Sequence, residues 1–584
     1  MKHIILFLFV LLALISCVKE EEDSPLLSAP VITLKEESPI YKTKIGREIT
    51  IAPIYENTDS ETTFNWTIDG KSICTTSTLT FSADEAGRYF ILISATNAGG
   101  TTEKEIRIDV FQLDVPTISI ADADKGFKVL QGSELTITPI VDSFLETSYS
   151  WQINGEDISN ELTCTLPTIE LGEYQVRFAT HNEDGDDEVT FKVEVCSPDQ
   201  VDFNWTFLQT EYNMSAGRTI RIKPVDVNNA LDAVYTWTVD NEQVQSGEND
   251  TYLFTSEQQG EHTVKVEMRN SYILATQTLK INVCPPAGTY QRKISATSSA
   301  SMNRVYEYLP APGQFINENH TTTTMAEACT YAEERINQTA YVSLGGFGGY
   351  IIVGFDHSIV NDGDYNIAIT GNAFDGSSEP GIVWVMQDEN GDGLPNDTWY
   401  ELRGSEYGKA ETWQDYAVTY HKPTGIQLPT PWTDNHGQSG SIDYLGAFHR
   451  QDYYYPAWVK EKQYTLRGTR LKERNYDQSG NGTYWVNDSY EWGYADNFSA
   501  IDRLTDDDNY NAGPSDNHFK ISHAVTFDGK DANLKYVDFI KVQVGVNSKS
   551  GWLGEISTEV FGIKDFNTVS YTHLRAHETR SNLV

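Results

Sequence analysis

The segment from Asp388 to Asp397 places oxygen-bearing side chains at alternate positions of a glycine-containing loop. Calcium takes six to eight oxygen ligands, and alternate residues of a tight loop can point toward one ion. Gly393 permits the sharp bend that such a loop needs. The predicted ligands are the side-chain or carbonyl oxygens of Asp388, Asn390, Asp392, Leu394, Asn396, Asp397 and Glu401.

The first six positions of this loop resemble the start of an EF-hand or dockerin-type calcium loop. The twelfth position holds Trp399 in place of the usual glutamate, so Asp397 or Glu401 would have to close the coordination sphere. Because the loop leaves no obvious open coordination position, we expect a structural Ca²⁺ ion. The alternative is an acidic, solvated turn between two strands.

Two stretches rich in aromatic residues lie in polar, glycine-rich surroundings, at 453–458 and 484–494. Flat amphipathic rings stack on sugar faces and other planar ligands, and they also fill the cores of helix-poor domains. The sequence does not decide between these two roles. The candidate ligand-binding residues are Tyr454, Tyr455, Trp458, Tyr484, Trp485, Tyr490 and Trp492.

The overall charge excludes several classes of function. The chain has 84 Asp and Glu against 43 Lys and Arg, which gives a formal net charge of −41. Such a surface repels phosphate backbones and anionic lipid, so we expect no nucleic-acid partner. The sequence also lacks the HExxH, GxSxG, CxxC, P-loop and GxGxxG motifs. These features favour a non-enzymatic protein, with a glycan-active enzyme as an alternative.

Three copies of a unit of about 85 residues precede the region that carries these candidate sites. Each copy contains a W-x-[IV]-[DN] motif, at Trp66, Trp151 and Trp237, and then a turn that is clearest at Asp69-Gly70 and Asn154-Gly155. Short alternating strands around one inward-pointing Trp predict a two-sheet sandwich with that Trp in its core.

These motifs resemble the PKD-like, immunoglobulin-like domains of bacterial surface proteins across residues 29–284. The resemblance implies spacer modules that themselves have little specific function. We expect free, mostly buried thiols in this region, although a bridge from Cys164 to Cys196 within one repeat stays open.

The two ends of the chain carry signals of a different kind. An apolar run of 12 residues from Ile4 to Ile15 leads into Ser16-Cys17, which resembles a bacterial lipobox with Cys17 as the lipidated residue. The acidic run that follows resembles the surface-export signal of Bacteroidetes lipoproteins. We therefore expect an outer-membrane protein at the cell surface that contacts the membrane through its lipid anchor only. Residues 568–584 resemble translated sequencing adapter and are excluded from fold reasoning.

The predicted fold class is all-β, with three tandem immunoglobulin/PKD-like sandwiches followed by a larger, jelly-roll-like β-sandwich that contains one short helix at Met325 to Ile336. The predicted segments are a signal peptide at 1–16, a lipidated tether at 17–28, repeats at 29–112, 113–196 and 197–284, a C-terminal ligand-binding domain at 285–567 and the artefactual tail at 568–584.

Phrases such as Gly371-Asn372-Ala373-Phe374 and Gly551-Trp552-Leu553-Gly554 resemble an uncharacterised cell-surface protein domain of Bacteroidetes. That resemblance implies a lipoprotein that works beside an outer-membrane uptake system, including systems for cobalamin. We therefore expect the C-terminal domain to capture an extracellular glycan or a cobamide. The alternative from another functional class is an adhesin that binds a protein partner.

Overall fold

The computed structural model describes residues 28–35, 38–120, 123–197, 200, 205–227, 232–270, 273–504 and 514–568. Cys17, the signal peptide and residues 569–584 lie outside the described residues. Among the described residues, no helix has the length and apolar character needed to cross a membrane. The described chain is built almost wholly of strands, as the sequence predicts, and the fold class is confirmed.

Repeat 1 has a five-stranded sheet in the order β2-β9-β8-β5-β6, together with the pairs β1-β4 and β3-β7. Strand β2 runs parallel to β9, and the other neighbours are antiparallel. The strands of repeat 1 are β1 (Val31–Thr33), β2 (Ile40–Lys44), β3 (Ile49–Ile51), β4 (Ile54–Glu56), β5 (Thr63–Ile68), β6 (Lys71–Cys74), β7 (Leu79–Phe81), β8 (Gly87–Asn97) and β9 (Gly100–Phe111).

Repeat 2 has the same arrangement, with a five-stranded sheet in the order β11-β18-β17-β14-β15 and the pairs β10-β13 and β12-β16. Its strands are β10 (Thr117–Ser119), β11 (Phe127–Leu130), β12 (Leu135–Ile137), β13 (Ile140–Asp142), β14 (Ser148–Ile153), β15 (Glu156–Ser159), β16 (Cys164–Leu166), β17 (Gly172–Asn182) and β18 (Gly185–Cys196).

Repeat 3 has a five-stranded sheet in the order β19-β25-β24-β21-β22 and the pair β20-β23. Its first strand is again parallel to its last. Its strands are β19 (Glu211–Ser215), β20 (Thr219–Ile222), β21 (Val234–Val239), β22 (Glu242–Gly247), β23 (Tyr252–Thr255), β24 (Gly260–Arg269) and β25 (Leu274–Cys284).

The repeated Trp forms the centre of each sandwich, as predicted. Trp66, Trp151 and Trp237 are all 0% exposed. The indole nitrogens of Trp66 and Trp151 donate to the backbone carbonyls of Thr76 and Glu161. The equivalent ring of repeat 3 instead stacks on Tyr252 at a centroid distance of 5.5 Å.

The turns that follow these Trp residues are also as predicted. Asp69 and Gly70 both have positive φ (50° and 75°), and so do Asn154 and Gly155 (51° and 86°). This is the type I′ geometry that matches the twist of a two-residue hairpin, and Asp, Asn and Gly adopt it at the lowest cost. The Cys74, Cys164, Cys196, Cys284 and Cys329 thiols are free, so repeat 2 contains no bridge.

The C-terminal domain contains an antiparallel six-stranded sheet in the order β26-β28-β40-β30-β31-β39, a three-stranded sheet β38-β29-β42, a four-stranded sheet β34-β33-β32-β35 and the pairs β27-β41 and β36-β37. Its strands are β26 (Arg304–Leu309), β27 (Val342–Ser343), β28 (Tyr350–Val360), β29 (Ile367–Gly371), β30 (Gly381–Met386), β31 (Trp399–Leu402), β32 (Trp413–His421), β33 (Thr430–Asp434), β34 (Ser439–Ile442), β35 (Gln463–Arg470), β36 (Asn475–Asp477), β37 (Trp485–Asn487), β38 (Ser515–Phe519), β39 (Ala524–Val525), β40 (Tyr536–Val544), β41 (Glu559–Val560) and β42 (Gly562–Asp565).

Strands β28, β40 and β30 at the centre of the large sheet are buried along nearly their whole length, so both faces of the sheet are covered. The predicted helix spans Met325–Asn337. Thr324 caps it by accepting from the Glu327 backbone nitrogen, and the Glu327 side chain accepts from the backbone nitrogen of Thr323, the residue before the cap, in a variant of the capping box. Ala328, Ala332 and Ile336 form the buried face of this helix.

Replacing Trp237 with Ala should destabilise repeat 3 by about 3–5 kcal/mol, because it removes the largest buried side chain at the centre of the sandwich. Trp552→Ala is the matched control, since that ring is 49% exposed and its loss should change the stability by about 0.5 kcal/mol or less. Urea denaturation of the purified chain measures both. Equal losses in the two variants would contradict the core assignment.

Candidate functional site

The predicted calcium loop connects β30 to β31 and is organised around Asp388. This side chain is buried, and its two carboxylate oxygens accept from the backbone nitrogens of Gly391 and Gly393 at 2.7 and 3.0 Å. Gly391 and Gly393 both have positive φ, so the turn depends on glycine at these positions. Asp388 therefore holds the loop in a tight bend.

The exposed half of the loop is a network of amides and carboxylates. Asp392 accepts from the side-chain amides of Asn390 and Asn396 and from the Leu394 backbone nitrogen, at 2.8–2.9 Å. Asn390 in turn accepts from the Asp392 backbone nitrogen. These bonds bring four of the predicted ligands into one turn.

The buried half of the loop contains an unpaired oxygen. Asp397 accepts from the Glu389 backbone nitrogen through Oδ2, whereas its Oδ1 is buried without a hydrogen-bond partner. Burial raises the pKa of Asp397 to about 8, and the charge of Glu389 adds to the shift. Glu401 on β31 is buried and accepts from Thr469, and burial raises its pKa to about 7.

The residues of the loop fit a calcium site in part. The orphaned Asp397 oxygen is the kind of group that a cation would satisfy. However, the carboxylates of the loop are not close enough together. Among the described residues, one trio of His, Cys, Asp or Glu side chains has its ligand atoms within 4.8 Å of one another, and that trio lies outside the loop. Calcium in the loop would therefore require the carboxylates to move closer together.

Beside the loop, Glu389 joins repeat 3 to the C-terminal domain. Its Oε1 lies 3.3 Å from Nε of Arg218, and its Oε2 accepts from the Ser215 backbone nitrogen at 3.0 Å. Arg218 also donates to Gln387 and Tyr400. Burial raises the pKa of Glu389 to about 7 and outweighs the opposite effect of Arg218. This contact could not be predicted from the sequence, because its partners are distant along the chain.

Four of the seven candidate ligand-binding rings are core residues. Tyr454, Tyr455 and Trp458 pack in the main hydrophobic core of the C-terminal domain, and Tyr490 packs in a smaller cluster with Tyr494. Of the two roles that the sequence leaves open, these four rings take the core role, because they fill the space between sheets and have almost no exposed surface.

The other three rings retain exposed surface. Tyr484 is largely exposed, and Trp485 and Trp492 are half-buried. Trp485 lies on β37, paired with β36. Trp492 follows in the next loop, where its ring lies 5.1 Å from the His523 ring.

Trp492 lines an open cavity of about 250 Å³ within the C-terminal domain. The wall combines aromatic rings with polar and charged groups at the end of the three-stranded sheet. Its residues are Tyr365, Leu402, Arg403, Trp492, Gly493, Ile501, Asp502, His518, Phe519, Lys520 and His523. Sequence reasoning found Trp492 alone among these, since the others come from separated segments without a shared motif.

The ionisable groups of this cavity add little net charge to its wall. Burial lowers the pKa of both His518 and His523, so both imidazoles are neutral at neutral pH. A neutral imidazole both donates and accepts a hydrogen bond. Lys520 lies 3.4 Å from Asp364, and Arg403 lies 2.9 Å from Asp531, so the two cations at the cavity already have carboxylate partners.

Comparisons with known proteins identify the repeats. The PKD-like domain family matches residues 29–97, 115–182 and 188–270, so the predicted PKD-like character of the repeats is confirmed. Repeats of this kind suggest a cell-surface or adhesion-type stalk. The search of curated proteins found no match to this chain.

Several solved structures of tandem domains are similar to part of the chain. They include three N-terminal domains of the bacteriophage RB49 outer capsid protein Hoc (15% identity, 44% of this chain and 99% of that chain, TM-score 0.21). The titin I-band fragment I67–I69 is 14% identical over 44% of this chain and 99% of that chain, with a TM-score of 0.21. Fibronectin(III)-like modules of Clostridium thermocellum CbhA give 16% identity over 31% and 100%, with a TM-score of 0.16. None of these similarities bears on function.

Arg218→Ala should destabilise the protein by about 3 kcal/mol at pH 8, because it leaves the Glu389 carboxylate buried without a cation. The loss should shrink at pH 5.5. The folded-state pKa of Glu389, about 7, lies above its ordinary value, so this group is protonated below that pH and needs no cation.

Arg221→Ala is the matched control, since the Arg221–Asp415 pair is solvent-exposed and should contribute less than about 1 kcal/mol at either pH. Urea denaturation at the two pH values separates the variants. A pH-independent loss in Arg218→Ala, no larger than that of the control, would refute the role of the buried pair.

Proposed function

We propose that this protein is a non-enzymatic, lipid-anchored cell-surface protein that captures an extracellular glycan in the Trp492 cavity of its C-terminal domain. The PKD-like repeats serve as a spacer between the membrane anchor and the binding domain. The observation that carries the proposal is the cavity itself, in which a half-buried indole lies beside the neutral imidazole of His523 and a second neutral imidazole, that of His518, forms part of the wall.

The chemistry of the cavity suits a sugar. A sugar ring presents an apolar face that stacks on an aromatic ring and a rim of hydroxyls that both donate and accept hydrogen bonds. Trp492 and Tyr365 supply the rings, His523 supplies an imidazole that can both donate and accept, and His518, whose Nδ1 donates to the Asp502 carbonyl, supplies an acceptor. The paired cations Lys520 and Arg403 add donors at the cavity wall.

The size of the cavity favours the end of a glycan over a cobamide. Pockets that enclose a drug-sized ligand measure roughly 300–1,000 Å³. This cavity measures about 250 Å³, which suits one or two sugar units and is too small to enclose a corrin ring with its nucleotide.

The anchoring part of the proposal depends on the sequence around Cys17, where the lipobox resemblance places the lipid. A surface lipoprotein that captures a ligand would pass it to an outer-membrane uptake system, and we propose such a system as its partner. Two findings would contradict this proposal. One is that the domain binds a protein partner, as an adhesin does, and the other is that it turns over a glycan, as an enzyme does.

Trp492→Ala should weaken glycan binding by about 1–3 kcal/mol, or roughly 5- to 150-fold in Kd, because it removes the stacking surface. Glycan-array screening of the wild-type chain identifies a bound sugar, and calorimetry then compares the variants. Trp552→Ala is the control, since Trp552 is exposed and does not line the cavity.

Three results would contradict the proposal in different ways. Binding of cyanocobalamin but of no glycan would assign the domain to cobamides. An equal loss of glycan affinity in Trp492→Ala and Trp552→Ala would show that the cavity does not bind the glycan. Hydrolysis of the bound glycan would make the protein an enzyme.

We also propose that the 388–397 loop binds a structural Ca²⁺. Chelation should lower the melting temperature of the protein, and Asp392→Asn should reduce the stabilisation that added Ca²⁺ gives, because it removes one negative ligand while keeping the size of the side chain. Asp375→Asn, an exposed acid outside the loop, is the control. An Asp392→Asn response to Ca²⁺ identical to that of the control would contradict calcium binding in the loop.

A further inference from the structure

Three carboxylates from separate segments meet inside the C-terminal domain, away from the 388–397 loop. Glu379 lies just before β30, Asp496 lies in the loop between β37 and β38, and Glu559 lies on β41. One carboxylate oxygen of each lies within 4.8 Å of the other two. Asp496 and Glu559 are buried, and Glu379 is half-buried at the solvent side of the group.

The backbone holds Asp496 in place for this arrangement. Its Oδ1 accepts from the backbone nitrogens of Asn372 and Ala373, both at 2.8 Å, and its Oδ2 accepts from that of Glu559 at 2.9 Å. A Cβ at Gly371 would lie 2.5 Å from Asp496 Oδ1, so only glycine lets β29 end this close to the carboxylate.

No cation in the described part of the chain pairs with these three carboxylates. Among the described residues, none of the three forms an ion pair with Lys, Arg or His. Glu559 is 3% exposed, and no N–H or O–H group of another residue donates to its buried Oε1. The neighbouring Glu379 carboxyl group can hydrogen-bond to Glu559 only when the pair holds a proton. Burial raises the pKa of Glu379 to about 7 and, with the charge of Glu379, that of Asp496 to about 8.

Two other buried carboxylates in the same domain have cationic partners. Glu406 is also buried, at 8% exposed, but lies 3.0 Å from both Lys409 and Arg474. Asp538 lies 3.0 Å from Arg292. Since buried charges are normally paired or bound to a metal, the unpaired trio, with an orphaned oxygen inside it, lacks a cation.

The distances and ligand types suit calcium. Ca²⁺ binds oxygen at 2.3–2.6 Å, so ligands on opposite sides of one ion are roughly 4.6–5.2 Å apart, which accommodates three oxygens within 4.8 Å of one another. Zinc prefers nitrogen and sulfur ligands, whereas an all-oxygen set suits a hard cation. Three carboxylates offer up to six oxygens, and the flexible coordination of Ca²⁺ can use both oxygens of one group.

We propose that Glu379, Asp496 and Glu559 bind a second Ca²⁺ ion, which enters from the half-buried side of Glu379. The ion connects three segments: the residues just before β30, the loop after β37 and strand β41. Asp496 lies four residues after Trp492 in the chain, so the same ion fixes the loop that lines the cavity.

Glu559→Gln tests this site, because it removes one negative ligand without changing the size of the side chain. Calorimetric titration of the chelator-treated whole chain with CaCl₂ measures the number of bound ions. We expect Glu559→Gln to bind one Ca²⁺ fewer per chain than the wild type, or to bind it at least 10-fold more weakly. In chelator, its melting temperature should equal or exceed that of the wild type, since an unpaired buried acid is gone.

Glu406→Gln is the control, because that buried carboxylate already has two cations and should keep the wild-type number of Ca²⁺ ions. Glu379→Gln, at the half-buried side of the trio, replaces Glu559→Gln if the latter fails to fold, with the same expected loss. The proposal is overturned if either folded trio variant binds Ca²⁺ with the wild-type number and affinity, or if the wild type binds none. If Glu559→Gln loses its ion while Asp392→Asn still reduces the stabilisation by added Ca²⁺, the trio and the 388–397 loop are separate sites.

Discussion

The cost of burying carboxylates dominates the C-terminal domain. An ionised carboxylate that leaves water must find a cation, a set of hydrogen-bond donors or a proton. The chain uses Arg292 for Asp538, Arg218 for Glu389, and His357 for Asp565 at 2.8 Å. Buried carboxylate oxygens without a partner remain on Asp397 in the loop, on Glu559 in the trio and on Glu555, and Glu389 keeps one beside Arg218. The two candidate ion sites are therefore among the places where the protein leaves buried acidic groups uncompensated.

The repeats and the C-terminal domain differ in how their hydrophobic cores are built. In the repeats, strands such as β8 and β17 alternate between buried and exposed residues, and one Trp fills the centre of each sandwich. In the C-terminal domain the central strands are covered on both faces, and polar loops run between them. Buried polar groups and an open cavity are concentrated there, which is why we place function in that domain and a spacer role in the repeats.

Local features were predictable from the sequence because the physics that fixes them is local. The Trp positions, the Asp69-Gly70 and Asn154-Gly155 hairpins and the helix all follow from residue spacing and turn preference. The aromatic stretch at 453–458 was ambiguous because Tyr and Trp serve both cores and ligand surfaces, and Tyr454 and Tyr455 proved to be core. The trio and the cavity wall could not be predicted, since they join residues more than 100 positions apart, such as Glu379 and Asp496.

The central claim is that divalent cations compensate the buried acids of this domain. The calcium content of the native protein, measured by elemental analysis after gel filtration in buffer containing trace Ca²⁺, tests it most directly. We expect two Ca²⁺ ions per chain, one in the 388–397 loop and one at the trio. A folded protein that retains no calcium would contradict it and would mean that these carboxyl groups are held in the protonated form.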